Sequence, residues 1–149
     1  MSAPEIILYI CHNSLGAGDS IRALEDLATT AAGGRRVAVR ETPCSGKTDV
    51  NYLLRAFEGG ARGVGIVTCP PGACRLAEGN VRAQLRARHV AGLLDEIGLG
   101  GRRLVVLHGA AGESGGDLPA RVREAAAYLA ALPENPLGLA VEPARTESR

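Results

Sequence analysis

Four short apolar runs, "EIILYI", "RVAVRET", "GVGIVT" and "RLVVLH", recur along the chain, and each is separated from the next by a stretch with helical apolar spacing. Strands joined by connections of that length do not form tight hairpins. They pair in parallel through right-handed crossovers, which lay helices over both faces of one sheet. The first helical stretch starts at Ser20, carries Ile21, Leu24, Leu27 and Ala28 at three- and four-residue spacing, and stops at Gly33 and Gly34, where a left-handed cap is sterically free. The second, capped by Thr48 or Asp49, carries Val50, Leu53, Leu54 and Phe57 and ends at Gly59 and Gly60. The third runs from Ala77 to Ile97, with Val81, Leu85, Val90, Leu93, Leu94 and Ile97 as its apolar residues. The fourth is "DLPARVREAAAYLAAL", with Asp117 as cap and Pro119 in its first turn. The expected fold is α/β, a flavodoxin-like doubly wound parallel sheet of about four strands in the order 2-1-3-4, with "GVGIVT" central because both its faces are apolar. One domain is expected over residues 1–132, with residues 133–149 as a C-terminal extension that lacks periodicity and is loosely held.

Composition narrows the function. The 149 residues are enough to enclose a real core. Seventeen Lys and Arg against 16 Asp and Glu leave no charge excess to attract nucleic acid or an anionic membrane. With no Trp and one Phe, the core is aliphatic and no aromatic platform for stacking bases exists. No apolar run reaches the roughly 18–20 residues needed to span a bilayer. The opening "MSAPEIILYICHNS" has neither a basic leader nor a small-residue cleavage site, so the expected location is the cytoplasm. In that reducing compartment the four cysteines point away from structural disulfides, toward metal, redox chemistry or plain burial.

Their positions sharpen the choice. Cys11 ends the first strand, Cys44 follows the second by a few residues, Cys69 ends the third, and Cys74 shares with Cys69 the Pro- and Gly-rich turn "TCPPGAC". In a doubly wound sheet, functional groups gather in loops leaving the carboxyl ends of the strands, so all four thiols fall on one edge. A lone thiol is most often a small buried hydrophobe, but such residues scatter among strand interiors and helix faces, whereas none of these lies mid-helix. No CxxC redox motif is present. Zinc held by four cysteines usually takes two close pairs, each with about 2–4 residues between, while these ligands come from three loops with one C-x4-C interval. A [2Fe-2S] cluster also takes four thiolates and accommodates such an interval. Spacing alone leaves cluster and structural zinc open, the latter implying a zinc-stabilised protein–protein interaction module without redox role.

The ordered set "PCSGKTD", "LLRAFEGGARGV", "CPPGAC" and "EGN" resembles the delta subunit family of methyl-viologen-reducing hydrogenases. The matching positions are Cys44, Ser45, Gly46, Lys47, Asp49, Ala56, Phe57, Gly60, Ala61, Cys69, Pro71, Gly72, Cys74, Gly79 and Asn80. The resemblance implies an iron-sulfur protein with a [2Fe-2S] cluster. By that likeness it relays electrons between an oxidoreductase module, such as a hydrogenase or formate dehydrogenase, and an FAD-containing heterodisulfide reductase-like subunit of a larger complex. It implies Cys44, Cys69 and Cys74 as ligands. Relatives often carry histidine after the third-strand cysteine and His-Tyr after the last one, where this chain has Pro70, Arg75 and Leu76. The family's cysteine-rich first loop, which includes a tryptophan, is reduced here to "ICHNSLGAGD", so Cys11 is the cysteine left to complete four.

Around those ligands stand several polar residues. His12 adjoins Cys11 and is the alternative fourth ligand, although a Rieske-type iron takes two histidines. His108 ends the fourth strand on the same edge, suited to capping its loop or to donating a hydrogen bond to a cluster or partner. An oxidised binuclear cluster with four thiolates carries about −2 formal charge, and Lys47 and Arg75 flank the ligands in sequence. Arg82 and Arg86 share a helix face with His89 one turn on, either a solvated surface or a docking face for a larger subunit. A flavin-binding flavodoxin would need aromatics around the isoalloxazine, which this chain nearly lacks.

Overall fold

A computed structural model of the protein describes residues 4–12, 15, 18, 20–42, 49–68, 79–108 and 118–137. The described strands are β1 (Ile6–Cys11), β2 (Val37–Thr42), β3 (Gly63–Thr68) and β4 (Leu104–His108). The helices are α1 (Ile21–Ala31), α2 (Val50–Glu58), α3 (Gly79–Glu96) and α4 (Leu118–Ala130). All strand pairs are parallel and the sheet order is β2-β1-β3-β4, the expected doubly wound arrangement. β1 and β3 are buried along all six residues, which is why their sequences are unbroken apolar runs rather than alternations. β2, at one edge, buries only Val37 and Val39, and the Glu25 carboxylate of α1 accepts from its Val39 N–H at 2.9 Å.

Side-chain alternation splits the core in two. Ile6, Leu8, Ile10, Val37, Val39 and Val67 pack with α1 and α4. On the opposite face, Ile7, Tyr9, Val64, Ile66 and Leu104 pack with α2 and α3. Ser20 caps α1 by accepting from Ala23 N–H, and Asp49 caps α2 by accepting from Tyr52 N–H at 2.8 Å, which decides between the two expected caps. Gly33 and Gly34 take φ of 72° and 92°, as a helix stop there requires. The cap expected at Asp117 lies outside the described residues.

The third helix corrects the reading of its sequence. Its buried line is Ala83, Ala87, Val90 and Leu94, whereas Val81, Leu85 and Ile97 are 52%, 55% and 63% exposed. The inner line is half alanine, and the helical period then sets the larger residues at 81 and 85 on the opposite, solvent side. A similar economy of volume operates in β3. A Cβ on Gly63 would stand 2.6 Å from Leu129 Cδ2, since Leu129 of α4 fills the space above that residue. Gly63→Ala is therefore expected to cost about 1–3 kcal/mol by overpacking, read as a lower denaturant midpoint with an unchanged slope.

Below the sheet's amino edge, two nearly buried arginines hold the chain after α4. Arg103 donates from Nε to Leu99 O (2.9 Å) and through its terminal nitrogens to Arg62 O (3.0 Å), Pro133 O (2.7 Å) and Glu134 O (3.3 Å). Arg62 donates to Leu132 O. The Asn135 amide donates to Phe57 O (2.9 Å) and Ala61 O (2.7 Å). The loose attachment expected from Pro133 onward thus does not describe residues 133–137, which these bonds fasten under the sheet.

Candidate metal centre at the carboxyl edge of the sheet

Cys11 is the last residue of β1, one of the two strands flanked on both sides by hydrogen-bonded neighbours, and it is 2% exposed. It stands opposite Thr42 in the register with β2, and on the other side Ile10 stands opposite Val67, which brings Thr68 to the next level. Alternation puts Cys11 on the same face as Ile7 and Tyr9, and Thr68 on the same face as Val64 and Ile66. The thiol therefore belongs to the face covered by α2 and α3, bracketed by threonines at the ends of the adjacent strands. Thr42 Oγ1 donates to Ile10 O at 3.5 Å, and the fully buried Thr68 donates from Oγ1 to Leu107 O at 3.4 Å. These hydroxyls satisfy strand-end carbonyls where the ladder stops, which keeps the floor of the edge polar but internally bonded.

One step inward on the same face, Tyr9 is 2% exposed, and its ring packs on Tyr52 with centroids 5.3 Å apart and planes tilted by 40°. Burial raises its phenol pKa above the ordinary 10, the neighbouring Tyr52 adds to the rise, and Arg40 opposes it. Tyr9 is consequently a neutral hydroxyl throughout the physiological range. Sequence reasoning passed over Tyr9, Thr42 and Thr68. Their signal was the shared final Thr of "VAVRET" and "GVGIVT" and the two-residue spacing from Tyr9 to Cys11.

The histidine beside Cys11 has a different environment. His12 is exposed, and its Nδ1 pairs with the carboxylate of Glu41 on β2. His108 ends β4 opposite Thr68, so its backbone shares the carboxyl edge. Arg82 and His89 lie exposed on α3, with Arg86 half-buried between them. Cys44, Cys69, Cys74, Lys47 and Arg75 lie outside the described residues. The chain leaves β2 at Thr42, two residues before Cys44, leaves β3 at Thr68, one residue before Cys69, and begins α3 at Gly79, five residues after Cys74. Among the described residues no group of three or more His, Cys, Asp or Glu could hold a metal ion. None of the described helices is long and apolar enough to cross a membrane.

Comparison with known proteins agrees with this framework. The family described as methyl-viologen-reducing hydrogenase, delta subunit, matches residues 6–132. The chain is 38% identical over 136 residues to the vhu iron-sulfur subunit of the F420-non-reducing hydrogenase of Methanocaldococcus jannaschii, covering 90% of this chain and 96% of that protein. It is 33% identical over 139 residues to the protein of the same name from Methanococcus maripaludis, covering 92% and 98% respectively. A segment within one subunit of the ferredoxin:CoB-CoM heterodisulfide reductase of Methanosarcina mazei is 34% identical over 71 residues, which is 48% of this chain but 9% of that larger polypeptide. With the profile spanning the whole sheet and every described helix, the chain belongs to the methyl-viologen-reducing hydrogenase delta subunit family.

Proposed function

We propose that this chain holds a [2Fe-2S] cluster on Cys11, Cys44, Cys69 and Cys74. In this reading it relays electrons within a larger oxidoreductase complex, between a hydrogenase, formate dehydrogenase or similar module and an FAD-containing heterodisulfide reductase-like subunit. The observation that carries the reading is the burial of Cys11 at the carboxyl end of a central strand, between two strands whose chains run on directly to Cys44 and Cys69. Neighbouring strands lie about 4.8 Å apart, so three thiol-bearing segments depart from within roughly 10 Å of one another, the scale of a four-thiolate binuclear site.

When bound, the cluster supplies a one-electron couple. The protein's part is to hold and shield it. Cys11 brings its thiolate out of water on a rigid strand, and Thr42 and Thr68 keep the adjacent carbonyls bonded. Neutral Tyr9 lines the approach from within without adding charge. Exclusion of water and hydrogen bonding to sulfur are the means by which proteins set such potentials. A reducing cytoplasm would keep the four cysteines out of disulfides and available to iron. We take residues 1–132 as the iron-sulfur domain and residues 133–149 as its extension.

The partner assignment draws on the Methanosarcina relative, where a segment similar to this chain lies inside a polypeptide named as part of a heterodisulfide reductase. A segment covalently joined to such a polypeptide in one protein is expected to dock on the counterpart when the two are separate chains. Protein purified without oxygen should be brown, with visible absorbance that bleaches on dithionite and returns on mild oxidation, and should release no flavin on denaturation. A colourless protein with stoichiometric zinc would instead identify the zinc-stabilised interaction module.

A further inference from the structure

Along α3 two lines of residues run on opposite sides of the helix with the same spacing of four, three and four. The inner line, Ala83, Ala87, Val90 and Leu94, is buried against the sheet. The outer line is Val81, Leu85, Arg88 and Gly92. Val81 and Leu85 are 52% and 55% exposed, one turn apart on the same stripe, so the apolar residues at the head of this helix contribute little to the core of their own chain.

Gly92 adds an independent observation. Glycine inside a helix costs roughly 0.5–1 kcal/mol relative to alanine, and such a residue is ordinarily explained by a neighbour that a side chain would strike. A Cβ built on Gly92 meets nothing within 4 Å, in contrast to Gly101, where it would lie 2.7 Å from Ala91 O. Nothing in the described chain requires position 92 to be bare. Charge completes the pattern. Residues 79–94 hold Arg82, Arg86, Arg88 and His89 and no Asp or Glu. Asp95, where acids resume, has its carboxylate engaged by Gly101 N–H at 2.7 Å.

We infer that the outer face of α3 is a docking surface for an acidic patch with an apolar centre on the flavin-bearing partner. Val81 and Leu85 form the apolar anchor, Arg82 and Arg88 the basic flanks, and the gap at Gly92 admits a partner side chain. The location suits electron relay, because α3 begins five residues after Cys74 and a partner seated on its first turns lies beside the carboxyl edge. This inference rests on the partner assigned above.

The test uses full-length chain and the FAD-containing partner purified from the native complex, with affinity measured across a salt series. Gly92→Phe should leave iron content and the melting midpoint of the isolated chain undiminished while lowering affinity about tenfold or more, because its ring fills the gap that the partner side chain would enter. Arg82→Glu with Arg88→Glu should lower affinity comparably and flatten its salt dependence. Arg22→Glu, an exposed change on α1 across the sheet, should change neither. Unchanged binding by the Gly92 and arginine variants, equal loss with Arg22→Glu, or no binding by the unaltered chain would overturn the docking assignment. Iron measured on the same samples separates the two ideas: a chain without iron whose binding still depends on α3 refutes the cluster and leaves the surface standing.

Discussion

Replacing Cys11 by serine is expected to remove essentially all bound iron while leaving the far-ultraviolet circular dichroism intact. The residue sits at the end of β1, beyond the last aliphatic layer, and neither half of the core is built on it. Serine keeps the shape but is a much harder, less acidic donor than thiolate, and iron-sulfur clusters are held by thiolates. Cys44→Ser, Cys69→Ser and Cys74→Ser should lose iron equally, because a binuclear cluster left with three good ligands dissociates or is rapidly oxidised. If Cys11→Ser keeps full iron and an unchanged electron paramagnetic resonance spectrum, the fourth ligand is another group. His12 is then the first to replace, although its Nδ1 is already paired with Glu41.

The largest loss of stability is expected at Arg103, far from the metal. Its four hydrogen bonds to carbonyls of Leu99, Arg62, Pro133 and Glu134 are made from a side chain within a residue that is 5% exposed. Burial, with Arg102 and Arg62 nearby, lowers its pKa, yet an arginine stays charged in any accessible range. Arg103→Ala leaves several carbonyls without donors and opens a void, costing on the order of 3 kcal/mol or more. For a chain of this size the melting midpoint should fall by roughly 6–12 °C, with protease cleavage appearing first near residues 133–137. The exposed Arg102→Ala should move the midpoint by little. Equal stability of the two variants would show that the amino-edge network is not what fastens the chain after α4.

Sequence pattern was most informative where one physical factor acted alone. The unbroken apolar run of β3 meant burial on both faces, and long helical connections between the strands meant parallel pairing, for which the order 2-1-3-4 is the flavodoxin-like arrangement. Cys11 was visible as a strand-end thiol for the same reason. Less was legible where volume mattered more than hydrophobicity: the inner line of α3 is half alanine, so the larger Val81 and Leu85 drew the eye to the wrong side. Arg62, Arg103 and Asn135 were invisible as core residues, because a buried polar group is recognised by its partners, and theirs are carbonyls more than 30 residues away in several cases. Thr42 and Thr68 acquired meaning only when register set them level with Cys11. The boxes around Cys44, Cys69 and Cys74 spoke through family likeness rather than through spacing, which by itself also allowed zinc.

Iron and acid-labile sulfide, determined per chain on protein purified anaerobically from its native host, test the central claim most directly. The proposed binuclear cluster carries two irons and two sulfides on its four thiolates, so the expected result is about two iron and about two sulfide per chain with negligible zinc. Stoichiometric zinc in place of iron, or about four iron per chain, would contradict it.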